Sequence, residues 1–108
     1  NGNTLNSSEL YNPVTGNWAI TGNMHFGRTA HTISVLANGK ALVAGGVDGG
    51  GSTLSSTELY DPATGSWTIA GRLNVARQYH TASILASGLV LIAGGRNSSG
   101  YLYSAEVY

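Results

Sequence analysis

The stretch ALVAGGVDGGGSTLSSTELYDPATGSW, residues 41–67, decides the fold. It opens with four apolar residues, Ala41, Leu42, Val43 and Ala44, that do not alternate with polar ones. That pattern belongs to a strand covered on both faces. The pair Gly45-Gly46 ends the strand, and residues 47–52 form a Gly-rich loop. A third strand follows over 54–60, and Asp61-Pro62-Ala63-Thr64-Gly65 reverses it, because proline presets φ and glycine accepts the left-handed position. A fourth strand then runs over 67–70. Upstream, residues 28–36 alternate small, polar and β-branched side chains, and Asn38-Gly39 supplies a two-residue hairpin signal before the strand at 40–44. The unit is a four-stranded sheet sandwiched between two other sheets.

The unit recurs. A shift of 49 residues lays Glu9-Leu10-Tyr11 on Glu58-Leu59-Tyr60, Trp18 on Trp67, Arg28 on Arg77, His31-Thr32 on His80-Thr81 and Gly45-Gly46 on Gly94-Gly95. A shift of 48 carries Glu58-Leu59-Tyr60 onto Glu106-Val107-Tyr108, the lost residue falling in the loop after the glycine pair, where an indel is tolerated. Asn12-Pro13-Val14-Thr15-Gly16 repeats the proline turn and residues 18–21 the fourth strand. The expected division is the end of one unit at 1–21, a whole unit at 22–70 and most of a third at 71–108, nine strands in all. Segments 5–11 and 102–108 are then copies of the same third strand. Apolar faces left at either side call for the remainder of a longer array or for copies of the same chain.

Composition agrees with many turns and short strands: 16 glycines against 9% charged residues. Five basic and five acidic residues cancel, which leaves no electrostatic footprint for nucleic acid or an anionic membrane. No apolar run is long enough to cross a bilayer as a helix, so membrane insertion is not expected. Without cysteine there is neither a disulfide framework nor a thiolate site. The low charge, together with glycosylation-type triplets at Asn6-Ser7-Ser8 and Asn97-Ser98-Ser99, leans toward an extracellular or cell-surface setting.

A glycine pair followed by a Glu-Leu-Tyr-Asp-Pro strand and a Trp resembles the kelch motif over nearly the whole chain. The resemblance implies an all-β fold of kelch-type β-propeller blades, four-stranded antiparallel sheets ranged around a central channel. The stretch Asn74-Val75-Ala76-Arg77-Gln78-Tyr79-His80 is also similar to the kelch blades of galactose oxidase-like proteins. In that family a copper radical site needs a cysteine cross-linked to a tyrosine, and this chain has no cysteine.

Residues that follow the repeat are expected to serve it. Tyr11, Tyr60, Trp18 and Trp67 fill the wedge between neighbouring blades, and Gly45, Gly46, Gly94 and Gly95 allow close backbone approach or positive φ. Arg28 and Arg77 pair with Glu from an adjacent strand or blade, Glu9, Glu58 and Glu106 being the recurring acids. His31 and His80 follow the scaffold too. A phosphate cradle at Gly49-Gly50-Gly51 is excluded, since no helix follows and no lysine stands nearby. His25 and Arg72 break the repeat, as do the candidate binding residues Asp48, Tyr79, Arg96, Tyr101 and Tyr103, and such positions carry individual function. No catalytic constellation, metal-ligand spacing or cofactor motif stands out. The expected function is therefore a binding or scaffold module that meets a protein or glycan through its loops. The alternatives are part of a galactose oxidase-like or other carbohydrate-active enzyme, and a self-assembling structural fibre or surface protein.

Overall fold

Strands β3 (Thr32–Val35), β4 (Ala41–Ala44), β5 (Thr57–Asp61) and β6 (Ser66–Ile69) pair in that order into one four-stranded antiparallel sheet in the computed structural model, which describes residues 4–108. Before it, β1 (Glu9–Asn12) and β2 (Asn17–Ile20) form a two-stranded antiparallel sheet. After it, β7 (Thr81–Ile84), β8 (Val90–Ala93) and β11 (Ala105–Val107) form a three-stranded sheet in the order β11-β8-β7. These nine strands match the expected count. A further small hairpin, β9 (Arg96–Asn97) with β10 (Gly100–Tyr101), lies in a segment read as loop. Among the described residues there is no helix.

Local chemistry sets the turns. Asn12 and Asp61 each accept a hydrogen bond from the backbone two residues on, Val14 N and Ala63 N, both at 2.9 Å. The chain then closes through Gly16 N to Asn12 O and Gly65 N to Asp61 O. The Asn38-Gly39 reversal differs from a two-residue hairpin. Gly39 N donates to Leu36 O, Leu36 N donates to Lys40 O, and only Gly39 of the turn has positive φ, at 87°. A two-residue type I′ turn needs positive φ at both central residues, so the loop is three residues long and closes on the glycine as a bulge. The first strand is likewise shorter than residues 28–36: Arg28 lies in an approach segment ahead of β3, in which Thr29 bridges to Val47.

One core lies between two sheets, and a second lies between the four-stranded sheet and the segment that leads into it. Leu42 and Ala44 of β4 meet Val90 and Ile92 of β8, with Leu73. Val43, on the opposite face, joins Tyr60, Trp67 and Met24. Alternate residues of one apolar strand thus face two different neighbours, which is why β4 shows no polar alternation. The strands β3 and β7 lie side by side where the two larger sheets converge.

The aromatic pairs separate by position. Tyr60 and Trp67 are buried, their ring centroids 5.1 Å apart, with Trp67 Nε1 donating to Gly22 O at 3.0 Å and the Tyr60 hydroxyl 2.6 Å from Thr21 Oγ1. Tyr11 and Trp18 keep the same 5.1 Å geometry but are 50% and 65% exposed. Among the described residues Tyr60 and Trp67 fill such a wedge. No described residues lie on that side of β1 and β2 in the way Thr21, Gly22 and Met24 lie over Tyr60 and Trp67.

Trp67→Ala is expected to cost about 3–5 kcal/mol and Trp18→Ala no more than about 1.5 kcal/mol, read from urea unfolding of the two variants. Equal losses would mean that the Trp18 face is covered in solution.

Candidate functional site

Each repeat is locked by one carboxylate. The Glu58 side chain is fully buried on β5, and its Oε1 accepts from His25 N at 2.7 Å and stands 3.0 Å from His25 Nδ1. Its Oε2 accepts from Phe26 N at 3.1 Å and from Arg28 Nη2 at 3.0 Å. Arg28 Nη1 donates to Gly45 O and Ser56 O, at 2.8 and 3.1 Å. The next repeat has the same arrangement. Glu106 accepts from Asn74 N, Val75 N and Arg77 Nη2, while Arg77 Nη1 donates to Gly94 O and Ser104 O. The arginines thus sit in the approach segments, and each pairs with the third strand of its own sheet. Glu9 is exposed and forms no ion pair among the described residues.

Burial pushes the Glu58 and Glu106 carboxyls up, but the backbone N–H groups and the arginine outweigh it and hold both below the usual carboxylate range. Burial lowers the Arg28 guanidinium, and Glu58 pulls it back.

The glycine pairs sit where two sheets touch. Gly45 and Gly46 have φ of 65° and 101°, and a Cβ on either would stand 2.5 Å from a carbonyl oxygen, that of Arg77 for Gly45 and that of Thr29 for Gly46. Gly46 N also donates to Arg77 O at 2.9 Å. No side chain fits there. Gly94 and Gly95 repeat the positive φ, at 71° and 89°. His80 is buried against Gly45, with Nε2 2.9 Å from Thr32 Oγ1, while His31 is exposed. Burial holds the His80 imidazole below its ordinary value, and the charges of Arg77 and His31 add to this.

Arg96 and Tyr101 come together at the end of the sheets where β4 joins β5, with Tyr79 against Arg96. A cleft of about 310 Å³ is lined by Gly51, Thr53, Gln78, Arg96, Asn97, Ser98, Gly100 and Tyr101. Gln78 and Arg96 exchange backbone hydrogen bonds of 2.9 Å, and the Arg96 guanidinium lies 5.2 Å from the Tyr79 ring centroid. Tyr79 and Tyr101 are 66% and 85% exposed. Tyr103 points wholly into solvent and lies outside the cleft.

Asp48 organises its own loop, Oδ1 accepting from Gly50 N and Ser52 N. Asn97, its counterpart at a shift of 49, does the same for Ser99 N, so Asp48 follows the repeat after all. Gln78 and Thr53 carry no signal of their own in the sequence, and Asn97 and Ser98 stand out there only as part of a glycosylation-type triplet. Comparing the repeats position by position would have found Gln78, which replaces Thr29. Among the described residues no group of three or more His, Cys, Asp or Glu could hold a metal ion.

A four-stranded antiparallel sheet packed against a three-stranded copy of the same pattern, with apolar central strands and inner strands converging, has the form of β-propeller blades. The family model described as the Kelch motif matches residues 30–74, so that stretch carries a kelch motif. No curated protein matches it.

Glu58→Gln is expected to cost about 3–5 kcal/mol, because Arg28 is left buried without its counter-charge. Acid should destabilise the fold in two stages. His80, with its folded pKa lowered, contributes stability above the ordinary histidine value of about 6.5 that is lost as the pH falls below it. Glu58 and Glu106 contribute stability above about 4.3 that is lost as the pH falls further. Urea midpoints between neutral and acid pH check this, with the upper stage reduced in His80→Gln, because His31 is also held below its ordinary value by burial and keeps the rest; a midpoint rising on acidification would contradict it.

Proposed function

We propose that this chain is a protein-interaction module of the kelch kind, whose partner docks at the end of the blades that carries the 310 Å³ cleft. The Arg28–Glu58 and Arg77–Glu106 pairs, the glycine pairs and the aromatic pairs serve the scaffold in this reading. Residues 1–21 are the end of one blade, 22–70 a complete blade and 71–108 most of another; Asn1, Gly2 and Asn3 of the first lie outside the described residues.

One observation carries the proposal. At positions where the backbone repeats, the side chains at this face do not. Ala30 and Tyr79 share a φ of 56°, and Thr29–Val47 and Gln78–Arg96 form equivalent bridges. Where the first repeat has Ala30 and Val47, the second has Tyr79 and Arg96, exposed and in contact. The fold manages with alanine and valine, so the tyrosine and arginine answer another demand. An aromatic ring and an arginine are the side chains most enriched at the energetic centres of protein interfaces.

A photo-crosslinking residue placed at Tyr101 should capture a discrete protein from the source cells, whereas the same residue at Ala63, at the far end of β5, should not. Gln78→Ala should weaken the capture severalfold without lowering the melting temperature. Equal capture at both ends of the sheet would sink the proposal, and capture of polysaccharide alone would make the chain a glycan-binding module.

A further inference from the structure

We infer that Arg96, held on the ring of Tyr79, takes a carboxylate from an acidic segment of the partner protein. The inference rests on the interaction-module reading and adds the chemistry of the anchor.

The charges of the described residues point to it. Arg28 and Arg77 are neutralised by Glu58 and Glu106, and His25 lies on Glu58. Arg96 is exposed and forms no ion pair among the described residues. The cleft it lines contains no acidic side chain: its other polar groups are the amides of Gln78 and Asn97 and the hydroxyls of Thr53, Ser98 and Tyr101. Asp48, the acid of the adjoining loop, has Oδ1 committed to Gly50 N and Ser52 N. Asn97 is committed to Ala76 O and Ser99 N, so one cation among neutral groups remains, the complement of a single negative charge, and a phosphate would bring nearly two.

Geometry selects a planar anion. A guanidinium presents its N–H groups in a planar fork, two of which match the two oxygens of a carboxylate. The cation–ring contact with Tyr79, at 5.2 Å, also limits the rotamers of a long side chain before a ligand arrives, so less freedom is lost on binding. Valine at the equivalent position 47 can do neither.

The test uses the whole 108-residue chain, labelled with ¹⁵N, and three probes: a synthetic peptide of Glu, Gly and Ser, its Gln counterpart, and oligogalacturonate. The Glu peptide should shift the amide signals of Gln78, Arg96 and Tyr101. The Gln peptide should bind about tenfold or more weakly, as should Arg96→Val and the double variant Tyr79→Ala/Arg96→Val. These variants install the residues that the first repeat already carries at these positions, and circular dichroism confirms that they fold. Arg72→Gln, which removes an exposed cation outside the cleft, should bind like the parent.

No shift with the Glu peptide, equal binding of the Gln peptide, or unchanged binding by Arg96→Val would overturn the inference. So would an equal loss in Arg72→Gln, which would indicate general attraction, or shifts with oligogalacturonate alone. A protein captured at Tyr101 that lacks an acidic segment would overturn this inference and leave the interaction module standing. Binding of the Glu peptide without face-selective capture would do the reverse.

Discussion

A buried carboxylate on the third strand of a blade gathers the backbone N–H groups of the approaching chain and the guanidinium of its arginine, and the rest of the architecture hangs on that contact. Glu58 holds residues 25, 26 and 28, and Arg28 in turn reaches the carbonyls of Gly45 and Ser56. The two charges, both buried, are neutralised by each other and by these backbone groups. The approach segment also lies along the previous unit, through Met24 N to Asn6 O and Arg28 N to Leu5 O. The ion pair therefore fixes the entry to each first strand while the backbone ties the same segment to the preceding sheet. Its repetition at Arg77 and Glu106 makes the spacing of successive blades a property of the repeat itself.

Packing follows from that spacing. With sheets held face to face, β4 has no solvent side, and its alternate residues enter two separate cores. The glycine pair is the point of closest approach, where the carbonyls of Thr29 and Arg77 occupy the space a side chain would need. Trp67 and Tyr60 finish the seam by giving their polar ends to Gly22 and Thr21 while their rings exclude water. Each sheet is thus incomplete by itself, and burial is a property of neighbouring pairs of sheets.

A scaffold that repeats so closely makes departures from the repeat informative. The backbone at Tyr79 and Arg96 copies that at Ala30 and Val47, left-handed φ and bridge included, yet the side chains change from small or aliphatic to an aromatic and a cation. Fold stability does not require that change. It occurs at the end of the blades where the loops after β4 and β8 come together, and it places polar groups from both repeats around one cleft.

The sequence by itself determined the period, the four-strand unit, the covered second strand and the recurring arginine and glutamate, because strand alternation, turn chemistry and self-similarity are local signals. It also named Arg96, Tyr79 and Tyr101 as irregular. Tertiary structure decided the rest. Tyr11 with Trp18 and Tyr60 with Trp67 read identically along the chain, yet one pair is exposed and the other buried, since burial depends on what lies opposite. The hairpin at Arg96–Asn97 and Gly100–Tyr101 carries too few residues for any periodicity to register. The partner of each arginine, within its own blade, and the meeting of Gln78, Arg96 and Tyr101 with Thr53 arise only when the sheets stack, because residues far apart in sequence become neighbours through the angle between blades.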